Sequence, residues 1–309
     1  MIFKQQSMQE ILPQLQKIFE TEDTFSFSVL NPDLGEGYAG SNILIDGEVY
    51  IYRSLKAWMD LTELLHCKML LPKEGTYPMI ILSFKKLKTD SSFHLDTVAN
   101  KYEKYGATSD FFTIHKMEEP AFFYYYDQAL DNVKIEARTR VINLGVNRGD
   151  EFEVIKNRLD IHKYKNMEFI GIDHSKTAIE CAESLFKEDN VSFYAEDINN
   201  LDSLDLGRFD LLISIGTLQS PSINFKLFFM NLVQNYLEKD SAIILGFPNS
   251  RWIGKEMIYG AKAPNYVMPE MSLLFNDVIF CKKYLQQKKY RVTITGKHYL
   301  FLTATKIGA

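Results

Sequence analysis

Residues 139–150 constrain the fold of this chain more than any other segment. They read Thr139-Arg140-Val141-Ile142-Asn143-Leu144-Gly145-Val146-Asn147-Arg148-Gly149-Asp150, an apolar strand that runs into two glycines and then an acidic helix start. A strand that ends this way brings bare backbone against a nucleotide-like ligand. Further on, Phe169-Ile170-Gly171-Ile172-Asp173-His174-Ser175 repeats the strand-to-turn plan with a carboxylate at its end, where the two hydroxyls of a ribose are held. The two segments predict a βαβ unit.

The glycine spacing separates two cofactors. A nicotinamide fingerprint starting at Gly145 requires glycine at 147 and glycine or alanine at 150, and these positions hold Asn147 and Asp150. The pattern acid-x-Gly-x-Gly-x-Gly instead falls on Asn143, Gly145, Asn147 and Gly149, and it resembles motif I of the class I S-adenosylmethionine-dependent methyltransferases. Asn143 stands where that family usually has a carboxylate, and an amide still hydrogen-bonds an ammonium or a carboxylate. Asn147 replaces the middle glycine, and asparagine tolerates the left-handed backbone better than most residues.

The order of the later elements extends the resemblance over residues 95–309. Residues 191–198 alternate as a strand and end in Glu196-Asp197-Ile198, similar to the family's third element. There an aspartate accepts from the adenine amino group and the next backbone touches the ring, which implies Asp197 and Ile198. Residues 208–219 read as a buried strand through Ile215 feeding a loop, which resembles the family's fourth strand facing the transferred methyl group. Residues 241–249 fit a fifth strand. Residues 290–295 and 299–304 flank a Gly296-Lys297 turn as an antiparallel hairpin. The fold this implies is α/β, a doubly wound seven-stranded sheet, mostly parallel with a reversed C-terminal strand. The implied cofactor is S-adenosylmethionine, with S-adenosylhomocysteine as product, held by Asn143, Gly145, Asn147, Gly149, Asp173, His174, Asp197, Ile198 and Ile215.

Each piece also has a plainer reading. A glycine turn serves tight packing, an aspartate at a strand end caps a helix, and Asp197 is placed to cap the turn at Asn199-Asn200.

The rest of the chain narrows the partners. At 309 residues it exceeds one average domain, so an α/β domain of about 200 residues with an extra module is expected. A formal charge of −5 gives no general drive towards nucleic acid. Cys67, Cys181 and Cys281 lie far apart in apolar helical patterns and read as buried thiols of a reducing compartment. No cysteine pair and no histidine–acid cluster has metal-ligand spacing, so no metal is expected. No apolar run approaches a membrane span, residues 1–20 read as an amphipathic helix rather than a signal peptide, and a cytoplasmic enzyme is the expectation.

Residues 1–92 predict a small α+β module, with a helix at 9–20, a strand at 24–30, a hairpin over 42–52 turning at Asp46-Gly47, a helix at 54–67 and a strand at 79–87. No chemical motif assigns its role; substrate selection, a homodimer and partner docking stay open. The polar run 89–92 is the expected linker to the domain at 93–309. There, residues 93–137 are expected to be helices that cover the cofactor, and residues 247–272, rich in Gly, Pro and Asn, a lid-like insertion at the ligand-bearing edge. Tyr102, Asn249 and Arg251 are the candidate substrate contacts, with Arg251 suited to a carboxylate or phosphate. His115, Gln219 and Tyr259 are the candidate catalytic groups, although Gln219 orients a nucleophile and is no base. The reading is methyl transfer to an O or N nucleophile of a small or medium polar metabolite. The alternatives are an RNA or protein methyltransferase, and a non-catalytic methyltransferase-like scaffold or binding protein.

Overall fold

The computed structural model describes residues 1–88, 105–261 and 269–308. The chain forms two compact units, Met1–Ser92 with Trp252–Tyr259, and Phe93–Arg251 with Gly260–Ala309.

In the first unit, β1 (Ile2–Phe3), α1 (Met8–Thr21), β2 (Thr24–Leu30), β3 (Asn42–Ile45), β4 (Glu48–Ile51), α2 (Leu55–Leu64), β5 (Cys67–Met69), β6 (Lys73–Glu74) and β7 (Met79–Lys86) follow in order. The main sheet runs β1-β2-β7-β5, with β6 also on β7 and β1 parallel to β2. Ser7 starts α1 with a capping box, its backbone N–H donating to the Glu10 carboxylate at 2.7 Å. The buried stripe Ile11, Leu15 and Phe19 packs with Phe27, Leu82 and Phe84 of the sheet and Trp58 of α2. Three aromatic rings make the centre: Phe27 meets Phe84 edge-on at 5.0 Å and Trp58 at 5.7 Å. Strands β3 and β4 pair as a separate hairpin whose turn residues Asp46 and Gly47 both have positive φ, the geometry of a two-residue primed turn.

The second unit carries α3 (Pro120–Asn132), β8 (Arg140–Leu144), α4 (Asp150–Arg158), α5 (Ile161–Lys165), β9 (Glu168–Asp173), α6 (Lys176–Leu185), β10 (Val191–Ala195), β11 (Phe209–Ile215), α7 (Phe225–Asn231) and β12 (Leu237–Pro248). After β13 (Ser250–Ile253) and β14 (Glu256–Tyr259) come α8 (Ser272–Gln287), β15 (Tyr290–Gly296) and β16 (Tyr299–Lys306). Seven strands form one sheet in the order β10-β9-β8-β11-β12-β16-β15. The strand order reverses between β8 and β11, and β16 alone runs against its neighbours. This is the doubly wound sheet with a reversed C-terminal strand that the sequence pattern implies. Central strands are buried on both faces, as Leu211–Ile215 and Ala242–Phe247 show, which is why they read as unbroken apolar runs.

The segment after β12 is not a plain loop. Strands β13 and β14 pair as a hairpin that turns at Gly254 and Lys255, both at positive φ. Its residues 252–259 pack with the first unit, where the Tyr259 N–H donates to Glu63 at 3.2 Å and Glu256 pairs with Lys68 at 3.8 Å. Residues 262–268 of the expected lid-like insertion lie outside the described residues, as do residues 89–104.

Candidate active site

The site grows from the end of β8. Gly145, Asn147 and Gly149 all have positive φ, at 80°, 47° and 92°. The left-handed region is open to glycine, and asparagine is among the few other residues that enter it at low cost. Space sets the glycines as well as φ. A Cβ on Gly145 would lie 1.8 Å from the Thr217 hydroxyl oxygen, and one on Gly149 would lie 2.7 Å from the Phe186 ring. The loop is anchored on β9, where the carbonyl of Ile172 accepts from the N–H groups of Gly145 and Val146 at 2.8 and 3.1 Å.

Asp173 closes the loop from β9. Its carboxylate is buried, accepting from the Asn147 N–H and the Ser175 N–H, each at 3.0 Å. His174 is exposed, with Nδ1 3.5 Å from the Asp173 carboxylate, and its ring meets Tyr105 edge-on at 6.3 Å. Next to it, the Glu196 N–H donates to the Asp173 carbonyl, bringing the end of β10 alongside. There Asp197 caps a 3₁₀ run from Ile198 to Leu204, accepting from the Asn199 N–H and side-chain amide at 2.9 Å each. The capping role is thus filled, and Ile198 is buried in the sheet core. Ile215 is buried against Gly246, where a Cβ would lie 2.6 Å from the isoleucine side chain.

Residues 105–118 lie across this loop. The region expected to be cap helices is, in its described part, two 3₁₀ turns, Asp110–Thr113 and Lys116–Glu118, ahead of α3. The Asn147 side-chain amide donates to the Tyr105 carbonyl at 3.0 Å. The Arg148 guanidinium is bidentate to Asp150 at 2.7 and 3.1 Å, donates to the Phe112 carbonyl at 3.3 Å and stands over the Phe112 ring at 5.6 Å. It also lies 2.7 Å from His115 Nδ1. A guanidinium only donates, so His115 is an acceptor there, held by a positioning contact rather than directed at a substrate.

Below the turns sits a polar group that sequence reasoning passed over. Glu151 is buried at the start of α4 and accepts from the Asn143 amide, itself 1 % exposed, at 3.3 Å. Burial pushes the Glu151 carboxyl up to about 7, and the neighbouring Asp150 charge adds to this; Lys116 and the Asn143 hydrogen bond oppose it. Burial pulls Lys116 down, yet its hydrogen bond and attraction to Tyr299 and the charge of Glu151 leave its pKa raised. The Tyr126 hydroxyl donates to the Glu151 carbonyl at 3.1 Å. Of these residues, Asp150 and Glu151 were visible in the sequence only as acids at a helix start.

The other predicted residues divide. Gln219 follows β11 two positions after Thr217, and its side-chain oxygen is buried with no hydrogen-bond partner among the described residues. Asn249 is buried beyond β12, donating from its amide to the Lys297 carbonyl at 3.0 Å, while its side-chain oxygen has no partner among the described residues. Burial lowers the Arg251 pKa. Tyr259 lies in the hairpin that packs with the first unit, and Tyr102 lies outside the described residues. Among the described residues no cluster of three or more His, Cys, Asp or Glu could hold a metal ion, and no helix is long and apolar enough to cross a membrane. A surface cavity of about 350 Å³ lies elsewhere, lined by Lys134, Arg291 and the end of β16.

The donors and acceptors present fit S-adenosylmethionine. Bare backbone at Gly145 and Gly149 admits close approach, Asp173 places a buried carboxylate at the end of β9 beside the loop, and Glu151 with Lys116 supplies one charge of each sign. Comparison with known proteins gives a family. The family model described as "Methyltransferase domain" matches residues 135–292, just over half of the chain. No curated protein matches. Among solved structures, the plantazolicin methyltransferase BpumL in complex with a monoazolic desmethylPZN analog and SAH is 13 % identical, with a TM-score of 0.44, covering 61 % of this chain and 86 % of that one. Magnesium protoporphyrin IX methyltransferase (ChlM) from Synechocystis PCC 6803 with bound SAM is 15 % identical, with a TM-score of 0.39, covering 66 % and 88 %. The chain belongs to the methyltransferase-domain family.

Proposed function

We propose that the enzyme methylates an oxygen or nitrogen nucleophile of a small or medium polar metabolite. The observation that carries this reading is Gln219, whose buried side-chain oxygen accepts no hydrogen bond among the described residues. An unpartnered buried acceptor is costly, and an O–H or N–H donor on a substrate would satisfy it. Its place supports the reading, because Thr217, two residues earlier, stands against Gly145 of the cofactor loop.

S-adenosylmethionine, when bound, supplies a methyl group that is already electrophilic on its sulfonium. The protein's share is then to hold the acceptor atom in line and to keep water out. Gln219 orients the acceptor by taking a hydrogen bond from it and is no base at neutral pH, so a neutral amine attacks first and releases its proton to solvent after transfer, whereas a hydroxyl gives its proton to solvent before it attacks. Residues 105–118, fixed on the loop by Asn147 and Arg148, exclude solvent above it. A net charge of −5 speaks for an uncharged or cationic metabolite over nucleic acid. Residues 1–92 read as a module for substrate selection or self-association.

The test is transfer of labelled methyl from S-adenosylmethionine into pooled polar metabolites, with total RNA and a protein extract as parallel acceptors. Label in a small molecule, reduced at least tenfold by Gln219→Ala with cofactor affinity kept, is the expected result. Label confined to RNA or protein would replace the reading. No label in any pool, by a chain that binds cofactor, would leave a binding protein.

A further inference from the structure

Position 143 is an amide in a place where a carboxylate would meet the amino group of the cofactor's amino-acid end. Asn143 does not simply leave that position neutral. Its amide is buried and donates at 3.3 Å to Glu151, a carboxylate eight residues on and itself only 8 % exposed. Lys116, on the 3₁₀ turn that lies across the loop, interacts electrostatically with Glu151. Tyr299 and Phe111 flank the Lys116 ammonium at 5.5 and 5.1 Å. The groups facing Glu151 are therefore Asp150 on its own helix, Lys116 on the turn, Asn143 on β8 and Tyr126 on α3.

A buried carboxylate with a second acid beside it is an expensive arrangement for a ligand-free protein, even with the Asn143 amide, its own backbone N–H and Lys116 to offset part of the cost. Buried charges of both signs beside a cofactor loop mark a place where a ligand supplies further partners. Glu151 can take a cation in addition to Lys116, and Lys116 an anion in addition to Glu151. A zwitterionic amino acid provides both, a few ångströms apart.

We propose that Glu151 and Lys116 hold the amino-acid end of S-adenosylmethionine, Glu151 taking the ammonium that residue 143 takes in relatives with an acid there and Lys116 taking the carboxylate. Asn143 then acts as a positioning residue that fixes the Glu151 rotamer. Binding draws Glu151 fully to its ionised form, so the cofactor competes with a proton. Free Glu151 titrates at about 7, which makes binding near neutrality release about half a proton. Affinity falls by about tenfold between about pH 8 and about pH 6.

The inference rests on the cofactor assignment, and the experiment separates the two. Full-length protein is titrated by calorimetry with S-adenosylhomocysteine and with 5′-deoxy-5′-methylthioadenosine, which lacks the amino-acid end, in two buffers of different ionisation enthalpy. Expected for wild type are binding of both ligands, with proton release and the tenfold pH effect for S-adenosylhomocysteine alone. Glu151→Gln should lose both effects and bind S-adenosylhomocysteine about tenfold more weakly at about pH 8, with methylthioadenosine unchanged. The wild-type proton count needs no variant, so a variant that fails to fold does not block the test. Wild type that binds S-adenosylhomocysteine with no proton release overturns the proposal, as does equal weakening of both ligands in Glu151→Gln. Folded wild type that binds neither ligand overturns the cofactor assignment, and the proposal with it.

Discussion

Replacing Glu151 by glutamine should stabilise the ligand-free protein, by an amount that depends on pH. In the unfolded chain this carboxyl titrates near its ordinary 4.5, whereas burial holds it at about 7 in the native state. Below about pH 4.5 both states carry the proton and the group costs nothing. As pH rises from there to 7 the unfolded chain ionises first, so native stability falls; above 7 the loss levels off at about 3 kcal/mol. Glutamine copies the protonated form and keeps an acceptor for the Asn143 amide. The variant should therefore match wild type at about pH 3.5 and exceed it by up to about 3 kcal/mol at about pH 8. Trp58 and Trp252 both belong to the first unit, so tryptophan fluorescence would follow the wrong part of the molecule. Hydrogen exchange of the β8, β9 and β11 amides, at both pH values with cofactor removed, reads the correct unit. A stability difference that stays constant with pH would refute the reasoning, and so would a variant less stable than wild type at the higher pH.

Three further perturbations probe the loop. Gly145→Ala adds a Cβ 1.8 Å from the Thr217 oxygen at φ 80°, and should cost about 3 kcal/mol or more and abolish S-adenosylhomocysteine binding; Thr217→Gly in the same chain should recover part of the stability in urea denaturation. Asp173→Ala strips the acceptor from the Asn147 and Ser175 N–H groups, which predicts a loss of about 2–4 kcal/mol and no calorimetric signal with S-adenosylhomocysteine. Retained affinity would mean that the carboxylate serves the loop alone. Arg148→Ala cuts the ties to Phe112, His115 and Asp150, so limited proteolysis should cleave within residues 105–118 faster, while global stability changes by less than about 1 kcal/mol.

The sheet was legible because its signal is local. Each strand of the second unit reads as a short apolar run between turn residues, and the antiparallel pair at the end announces itself by the Gly296-Lys297 turn. The loop was legible for a similar reason, since Gly145 and Gly149 answer to backbone conformation, which single residue types reveal. Glu151 and Lys116 were not legible. An acid at N2 of a helix is common, and a lysine 35 positions earlier carries no periodicity that links it to that acid; only the packing of a 3₁₀ turn over α4 brings them together. Thr217 escaped notice because its importance is steric, set by the distance to Gly145. Residues 250–259 misled in another way. Their Gly, Pro and Asn neighbours suggest a loop, yet Gly254-Lys255 is the turn of a hairpin that belongs with the first unit. Sequence spacing does not say which of two units a short excursion joins.

The reversed direction of β16 has a consequence for which residues the ligand-bearing edge can recruit. A parallel strand delivers only its last residues there. Because β16 runs the other way, its first residue, Tyr299, arrives beside Pro248 at the carboxyl end of β12. There its ring lies under the ammonium of Lys116, a residue nearly two hundred positions earlier in the chain, at 5.5 Å from the ring centroid. The terminal hairpin is thus a structural brace for the front of the domain as well as its edge, and truncation after β15 would loosen a lysine on the opposite end of the domain's sequence.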